Sequence, residues 1–277
     1  MKKIGYLGPR GTFSHEALKK YINGREGYNP VDYSSIPDMI IAVQKGHAEE
    51  ALVPIENSIE GAVNATLDIL AADVELMIKT ELVIAVSQNL LVRKGTHKEN
   101  IKLILSHPQP IGQCTKYLQA NFQGVETRYV FSTAGAALEV SHGNGECAAI
   151  GSATAAEEYG LEILARGIQD NENNLTRFVA VSKQDSPRSG CDKTSIVFST
   201  DDKPGSLYRI LDIFNLWDIN MSRIESRPAK NQLGKYIFFV DINGHREDED
   251  IRDALTMVKR KTSFYKFLGS YPVFLGN

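Results

Sequence analysis

The sequence predicts an α/β protein made of a two-lobed first region and a smaller βαββαβ unit behind it. Three observations support this fold class. Short apolar runs alternate with helical patterns up to about residue 182, and a polar segment rich in Pro, Gly and Ser follows. Beyond that segment, one strand, a helix, two strands, a helix and a last strand form a ferredoxin-like pattern. A length of 277 residues suits two or three compact units.

Strands and helices alternate in the first region in the manner of parallel sheets covered by helices. Apolar β-rich runs predict strands over 3–7, 51–55, 102–105 and 147–151. Apolar residues at helical spacing predict helices after Ser14, over 36–46 and over 153–159.

A longer β-like run over 82–86, continued by 90–92, predicts a crossover into a second lobe. The run 176–181 predicts the return to the first lobe. The first region is thus expected to span 1–183, with crossovers near 75–93 and 165–178. Two lobes joined by extended crossovers form a cleft, and small-molecule sites favour such interfaces.

The polar segment 184–193 is interpreted as a linker and 194–277 as a second domain. In this domain, strands are expected over 194–199, 221–226, 235–242 and 265–271, with helices over 204–216 and 248–259. Pro204 suits the first position of a helix.

Composition excludes several classes of function. The net charge is −3, from 31 basic and 34 acidic residues, so nucleic-acid binding is not expected. The longest basic run, 259–261, suits the last turn of a helix. No apolar stretch approaches a membrane span or a signal peptide. The three widely spaced cysteines are typical of reduced thiols in a cytoplasmic protein, and neither a metal site nor a cofactor motif is expected.

Two segments carry the most chemistry: 174–178 (Asn-Leu-Thr-Arg-Phe) and 54–61 (Pro-Ile-Glu-Asn-Ser-Ile-Glu-Gly). Thr176 offers a hydroxyl, Arg177 a planar fork of donors suited to a carboxylate, and Asn57 both a donor and an acceptor. This set suits a small, oxygen-rich anion. The simpler alternatives are a threonine that opens a strand, a structural salt bridge for Arg177, and turn or cap chemistry for Asn57 and Ser58.

Both segments resemble the signature stretches of the prephenate dehydratase family, and the resemblance covers nearly the whole chain. It implies a two-lobed fold like that of periplasmic binding proteins, prephenate as the substrate and no cofactor. It also makes Thr176 the hydrogen-bond donor to the leaving hydroxyl. We expect catalytic roles for Thr176, Asn57, Ser106 and Gln113, the last two because 106–109 (Ser-His-Pro-Gln) and Gln113 match the family. The substrate is expected to contact Arg177, Phe178, Ser58, Glu56 and Thr12, the last from the loop 8–14 that matches the family's opening motif.

His107 is ranked below the hydroxyls because such a histidine is more often structural. Cys114 lies seven residues after His107, so a thiol–imidazole pair is an alternative that we weigh against a simply buried cysteine.

The second domain resembles the phenylalanine-responsive ACT domain of the same enzymes. The matching stretches are 204–207 and 225–228, with serine at 206 where the family usually has alanine. The resemblance implies a phenylalanine site formed by Gly205, Ser206, Leu207, Glu225, Ser226, Arg227 and Pro228. Paired ACT domains would give a homodimer or a homotetramer. A domain used only for dimerisation is the alternative.

The expected function is therefore the decarboxylative dehydration of prephenate to phenylpyruvate, with L-phenylalanine as the feedback effector. Two alternatives remain open at this point. One is an arogenate dehydratase, which performs the same elimination on a substrate with an amine in place of the ketone. The other is a non-catalytic sensor of amino acids.

Overall fold

The computed structural model of the protein describes residues 1–229 and 235–274. In chain order the strands are β1 (Lys2–Leu7), β2 (Tyr28–Tyr33), β3 (Glu50–Asn57), β4 (Gly61–Ala62), β5 (Met77–Ala85), β6 (Asn89–Val92), β7 (Leu103–Ser106), β8 (Glu126–Tyr129), β9 (Cys147–Gly151), β10 (Glu162–Ala165), β11 (Leu175–Ser182), β12 (Asp192–Ser199), β13 (Met221–Pro228), β14 (Tyr236–Asn243) and β15 (Phe264–Pro272). The helices are α1 (Phe13–Ile22), α2 (Ile36–Lys45), α3 (Asn64–Ala72), α4 (Pro108–Gln113), α5 (Thr115–Asn121), α6 (Thr133–His142), α7 (Ala153–Tyr159), α8 (Ser206–Leu216) and α9 (Glu249–Lys261).

Three sheets organise these elements. The first lobe has the order β2-β1-β3-β11-β5, with β4 paired to β3, and the second lobe has the order β10-β6-β9-β7-β8. The C-terminal domain has the order β13-β14-β12-β15, with α8 and α9 on one face. The expected α/β class, with two lobes and a βαββαβ domain, is confirmed.

The sheets of both lobes are mixed, so the expectation of parallel sheets is wrong in part. β1 pairs in parallel with β2 and β3, but β11 runs antiparallel to β3 and β5. The chain leaves the first lobe between β5 and β6 and returns between β10 and β11. A strand that returns from the far lobe enters the sheet from the opposite end and is therefore antiparallel to its neighbours.

Local sequence accounts for the helix ends that matter most. The Thr12 side chain caps α1 by accepting from the His15 N–H, and the Ser35 side chain caps α2 by accepting from the Asp38 N–H. α8 begins at Ser206 rather than at Pro204, because Gly205 has φ 78° and lies in the left-handed region that glycine favours. The basic run 259–261 does form the last turn of α9.

The first-lobe sheet buries both of its faces. Phe178 and Ala180 of β11 pack with Leu18 of α1 on one face. The opposite face carries Val179 and Val181, which share a core with residues of α2, α3 and the C-terminal domain. The side-chain alternation of one strand therefore sends one row toward α1 and the other toward the C-terminal domain.

Cys114, Cys147 and Cys191 are free thiols. Among the described residues, no helix is long and apolar enough to cross a membrane.

Gly269 allows the C-terminal domain to approach the first lobe closely. It has φ 138°, and a Cβ at this position would lie 2.3 Å from the carbonyl oxygen of Ile78 in β5. No side chain fits at that distance unless β15 and β5 move apart.

We expect Gly269→Ala to destabilise the protein by about 3 kcal/mol or more, because it combines overpacking with an unfavourable φ. The melting temperature should fall on the order of 10 °C. Gly112→Ala is the matched control, since a Cβ at Gly112 meets nothing within 4 Å. An unchanged melting temperature for Gly269→Ala would show that the two domains do not pack in this way.

Candidate active site

A pocket of about 400 Å³ lies between the two lobes. This volume is within the range of small-molecule sites. Its walls come from the ends of β3 and β11, the crossovers, and the first turns of several helices. The lining residues are Thr12, Phe13, Ser14, Pro54, Asn57, Glu60, Gly61, Ala62, Val63, Val86, Gln88, His107, Gln109, Pro110, Gln113, Ser132, Thr133, Asn174, Thr176 and Phe178.

Thr176 and Asn57 meet at the centre of this pocket. They are directly opposite each other in the antiparallel pairing of β11 with β3, and the Asn57 Nδ2 donates to Thr176 Oγ1 at 2.8 Å. Thr176 is only 9% exposed. Two segments that are far apart in the sequence thus meet on one wall of the cleft.

The direction of this bond is fixed by the backbone. Asn57 Oδ1 accepts from the N–H groups of Ile59 and Glu60, both at 2.9 Å, so the Asn57 amide must present its N–H groups on the other side. Thr176 Oγ1 therefore accepts from Asn57, and its own proton remains available to donate toward the pocket.

A chain of amide side chains extends this arrangement across the cleft. Asn57 Nδ2 also donates to Asn174 Oδ1 at 2.8 Å, and Asn174 Nδ2 donates to Gln113 Oε1 at 3.3 Å. Gln88 Nε2 donates to the same oxygen at 3.4 Å. Gln113 belongs to the second lobe and Asn57 to the first, so the chain links both lobes through the crossovers. We call Thr176, Asn57, Asn174, Gln113 and Gln88 the amide chain.

The electrostatics of the pocket come from helices rather than from cationic side chains. Of the described residues that line it, none is lysine or arginine. Instead α1 and α6, one from each lobe, begin at its wall with Phe13 and Thr133. Unpaired N–H groups and the positive end of the helix dipole favour an anion at such positions.

Thr12 and Phe178 both line the pocket. The Thr12 hydroxyl lies 3.0 Å from the carbonyl oxygens of both Leu7 and Pro9, so its proton is used within the loop. Phe178 is 2% exposed and forms both the pocket floor and part of the first-lobe core.

Arg177 does not line the pocket, and its assignment to a substrate carboxylate is corrected. Its guanidinium donates to Glu81 and Asp241, both at 2.7 Å, and to the Tyr271 hydroxyl at 2.8 Å. Burial opposes the charge, but Tyr271, Asp241 and Glu81 outweigh it and raise the pKa of Arg177 above its usual value. Because successive residues of a strand point to opposite faces, Thr176 faces the cleft and Arg177 faces the C-terminal domain.

Glu56 follows the same rule and is also corrected. Its carboxylate lies 3.6 Å from Arg177 and 3.4 Å from Arg223 of the C-terminal domain. It therefore belongs to the contact between the domains and not to the substrate site.

Ser106 and Ser58 are structural in this geometry, which corrects both assignments. Ser106 is fully buried, and its hydroxyl donates to the Ile150 carbonyl oxygen at 2.8 Å. The Ser58 hydroxyl donates to the Asn173 carbonyl oxygen and accepts from the Leu175 N–H. Ser58 thus holds the start of β11 against the end of β3.

The alternative of a thiol–imidazole pair is not supported. His107 lines the pocket, whereas Cys114 is part of the second-lobe core. Burial raises the pKa of Cys114 to about 12, so the thiol stays protonated.

The expected phenylalanine-site residues fall into two groups. Gly205, Ser206 and Leu207 line a pocket of about 350 Å³ in the C-terminal domain, together with Tyr236 and Phe238. None of the residues 225–228 lines that pocket in the described part of the chain.

The stretch 225–228 continues the strand that the sequence predicted over 221–226. It forms the end of β13, where Arg227 makes a bidentate ion pair with Asp68 of α3 at 2.9 and 3.0 Å. Arg227 thus ties the C-terminal domain to the first lobe.

Sequence reasoning missed Gln88 and Ser132, and it assigned no role to Asn174. Ser132 caps α6, and a Ser-Thr pair before a helical segment was a signal that could have identified it. Gln88, an amide within the apolar run of the first crossover, was a weaker signal. Among the described residues, no cluster of His, Cys, Asp and Glu is arranged to hold a metal.

The chain is similar to known proteins over nearly its whole length. A family model described as prephenate dehydratase matches residues 4–186, and an ACT domain model matches 194–256. The bifunctional chorismate mutase/prephenate dehydratase of Aquifex aeolicus (strain VF5) is 42% identical over 271 residues, which are 98% of this chain and 73% of that relative.

Solved structures extend the likeness to three dimensions. The prephenate dehydratase of Arthrobacter aurescens in complex with L-Phe has a TM-score of 0.89 at 36% identity, covering 98% of this chain and 89% of that one. A structure of GqqA, described as a novel type of quorum quenching acylase, has a TM-score of 0.88 at 30% identity and covers 99% of both chains.

The family models, the 42% identity to the Aquifex relative and the fold together show that the chain belongs to the prephenate dehydratase family, with an ACT domain after the catalytic region.

Proposed function

We propose that the protein converts prephenate to phenylpyruvate, carbon dioxide and water, with Thr176 as the hydrogen-bond donor to the departing ring hydroxyl. The observation that carries this proposal is the fixed direction of the bond from Asn57 to Thr176, which leaves the threonine proton for the substrate. Asn57 has both amide hydrogens and its oxygen engaged within the protein, so it positions Thr176 and does not itself contact the substrate.

The reaction needs orientation and charge stabilisation more than a strong acid. The bond from the ring to its carboxylate breaks, its electron pair enters the ring, and the carboxylate leaves as carbon dioxide. The ring hydroxyl leaves with its bonding pair and one proton, which comes ultimately from solvent. Donation from Thr176 stabilises the negative charge that grows on the leaving oxygen.

The two carboxylates of the substrate match the neutral hydrogen-bond donors of the pocket. The first turns of α1 and α6 supply N–H donors from opposite lobes, and Gln113 supplies a side-chain N–H. Neutral donors leave the ring carboxylate free of a strong ion pair, which would oppose its loss as neutral carbon dioxide.

Arogenate is the rival substrate, and one observation favours it. Glu60 places a carboxylate on the pocket wall, where an ammonium group could pair with it. Steady-state rates with purified prephenate and purified arogenate decide between the two substrates. We expect the higher kcat/KM with prephenate. A higher kcat/KM with arogenate would show that arogenate is the preferred substrate. Failure to turn over either compound would favour the amino-acid sensor.

We further propose that L-phenylalanine binds the C-terminal domain near Gly205, Ser206 and Leu207 and lowers activity. The relative from Arthrobacter aurescens was solved with L-Phe, and Gly205–Leu207 line a pocket of the ACT domain. β13 lies at the edge of its sheet and suits pairing with a second copy, which supports a homodimer or a homotetramer. A cytoplasmic location accords with the free thiols.

Arg177 supplies the physical link between this domain and the active site. It follows Thr176 directly, and it is bound to Asp241 and Tyr271 of the C-terminal domain. A shift of the ACT sheet would act on Arg177 and, through the shared strand, on Thr176. Phenylalanine would inhibit if it bound more tightly to the shifted arrangement.

Thr176→Val should lower kcat on the order of 10²-fold or more with little change in KM, because it removes a donor that acts mainly in the transition state. Thr256→Val is the control, since Thr256 is exposed on α9. Initial rates of phenylpyruvate formation measure both. A rate for Thr176→Val equal to that of the control would disprove the assignment.

Asn57→Asp should be nearly as slow as Thr176→Val, because a carboxylate only accepts and would draw the threonine proton away from the substrate. Since both changes act on one proton, their effects should not add: the double variant should be no slower than the slower single variant. Additive losses would indicate that Asn57 acts independently of Thr176.

Arg177→Met should retain turnover in the absence of phenylalanine but require at least about tenfold more phenylalanine for half inhibition. It should also lower stability by about 3–5 kcal/mol, because it strands the buried carboxylates of Glu81 and Asp241. If this variant does not fold, Tyr271→Phe removes only the hydroxyl that contacts Arg177 and Ser195. Unaltered inhibition curves in both variants would place the coupling elsewhere.

A further inference from the structure

Ser14 is a buried serine at the start of α1 whose hydroxyl has no partner within the protein. The residue is 7% exposed and lines the cleft pocket, and among the described residues no group bonds to its Oγ. This oxygen is not sealed from solvent, in contrast to the unpartnered oxygen of Gln88. A ligand in the pocket can therefore reach the Ser14 hydroxyl, and a buried polar group of this kind calls for a partner.

The register of the first lobe directs Ser14 toward Thr176. β1 and β3 run in parallel, so α1, which follows β1, begins at the end of the sheet where Asn57 ends β3. Further along α1, Leu18 packs with Phe178, which lies on the same face of β11 as Thr176. Ser14 is on the same side of α1 as Leu18, one turn earlier. It therefore lies over the Thr176 end of that face.

The first turn of α1 supplies further donors beside this hydroxyl. The N–H groups of His15 and Glu16 are bonded to Thr12, whereas those of Phe13 and Ser14 have no partner in the described part of the chain. The Thr12 hydroxyl uses its proton within the loop, so Ser14 carries the free hydroxyl of this segment. The free main-chain N–H groups and this hydroxyl, at the positive end of the helix dipole, suit a carboxylate.

We propose that Ser14, together with the free N–H groups of Phe13 and Ser14, binds the carboxylate of the pyruvyl side chain of prephenate. This inference rests on the proposed function. The ring carboxylate loses its charge as carbon dioxide leaves, so donors that held it firmly would stabilise the substrate more than the transition state. The side-chain carboxylate keeps its charge throughout the reaction. Fixed donors on that group anchor the substrate without opposing the loss of carbon dioxide.

Ser14→Ala tests this assignment, because it removes the hydroxyl while alanine favours the helix. We expect the KM for prephenate and the dissociation constant of phenylpyruvate to rise together, each at least about tenfold, since both molecules carry the side-chain carboxylate. The kcat should change less than about threefold, because the contact is equal in the substrate and the transition state. Ser141→Ala, in the last turn of α6 and outside the pocket lining, is the matched control.

Steady-state rates and calorimetric titration with phenylpyruvate give these values. A loss confined to prephenate would assign Ser14 to the ring carboxylate and overturn the proposal. Unchanged values for both compounds would overturn it too, because Ser14 would then not contact the substrate. Wild-type enzyme assayed in parallel separates these outcomes from failure of the proposed function: if the wild type does not convert prephenate, the function itself is wrong.

A second measurement does not depend on the Ser14 variant. A crystal structure of the slow Thr176→Val variant with prephenate bound should show the side-chain carboxylate within hydrogen-bond distance of Ser14 Oγ. The ring carboxylate at that position, or no carboxylate there, would contradict the assignment.

Discussion

The antiparallel pairing of β3 with β11 is the constraint on which the active site and the domain contact both depend. It sets Thr176 opposite Asn57 and Arg177 opposite Glu56. Because neighbouring residues of a strand face opposite sides, the first pair opens onto the cleft and the second onto the C-terminal domain. A slip of one residue in this register would exchange the two roles and bring a guanidinium into the pocket.

The pocket combines an oriented chain of hydrogen bonds with a lining that includes no lysine or arginine among the described residues. Backbone groups fix one end of the amide chain, so each side chain along it has a defined donor and acceptor side. Such preorganised dipoles need no rearrangement during the reaction, which is where fixed donors are most effective. At the domain contact, Arg177 and Lys193 instead meet the buried carboxylate of Glu81, and Arg223 meets the half-buried Glu56.

Both lobes contribute side chains to the hydrogen bonds that line the cleft. Gln113 reaches Asn174 from the second lobe, while Thr176 and Asn57 belong to the first. Within the amide chain, the two bonds to Gln113, at 3.3 and 3.4 Å, are longer than the two 2.8 Å bonds that Asn57 donates.

The sequence by itself determined the α/β class, the βαββαβ domain and the importance of the segments around Asn57 and Thr176. These features follow from the hydrophobic periodicity and from the chemistry of neighbouring residues, both of which can be read directly from the sequence. It could not determine which way each side chain of those segments points. Arg177 and Ser106 sit in motifs that suggested catalysis, yet strand alternation and burial turn them to the domain contact and the core. Gln88 could be assigned to the site only from the tertiary structure, because its side-chain hydrogen bond to Gln113 connects residues that are distant in the sequence.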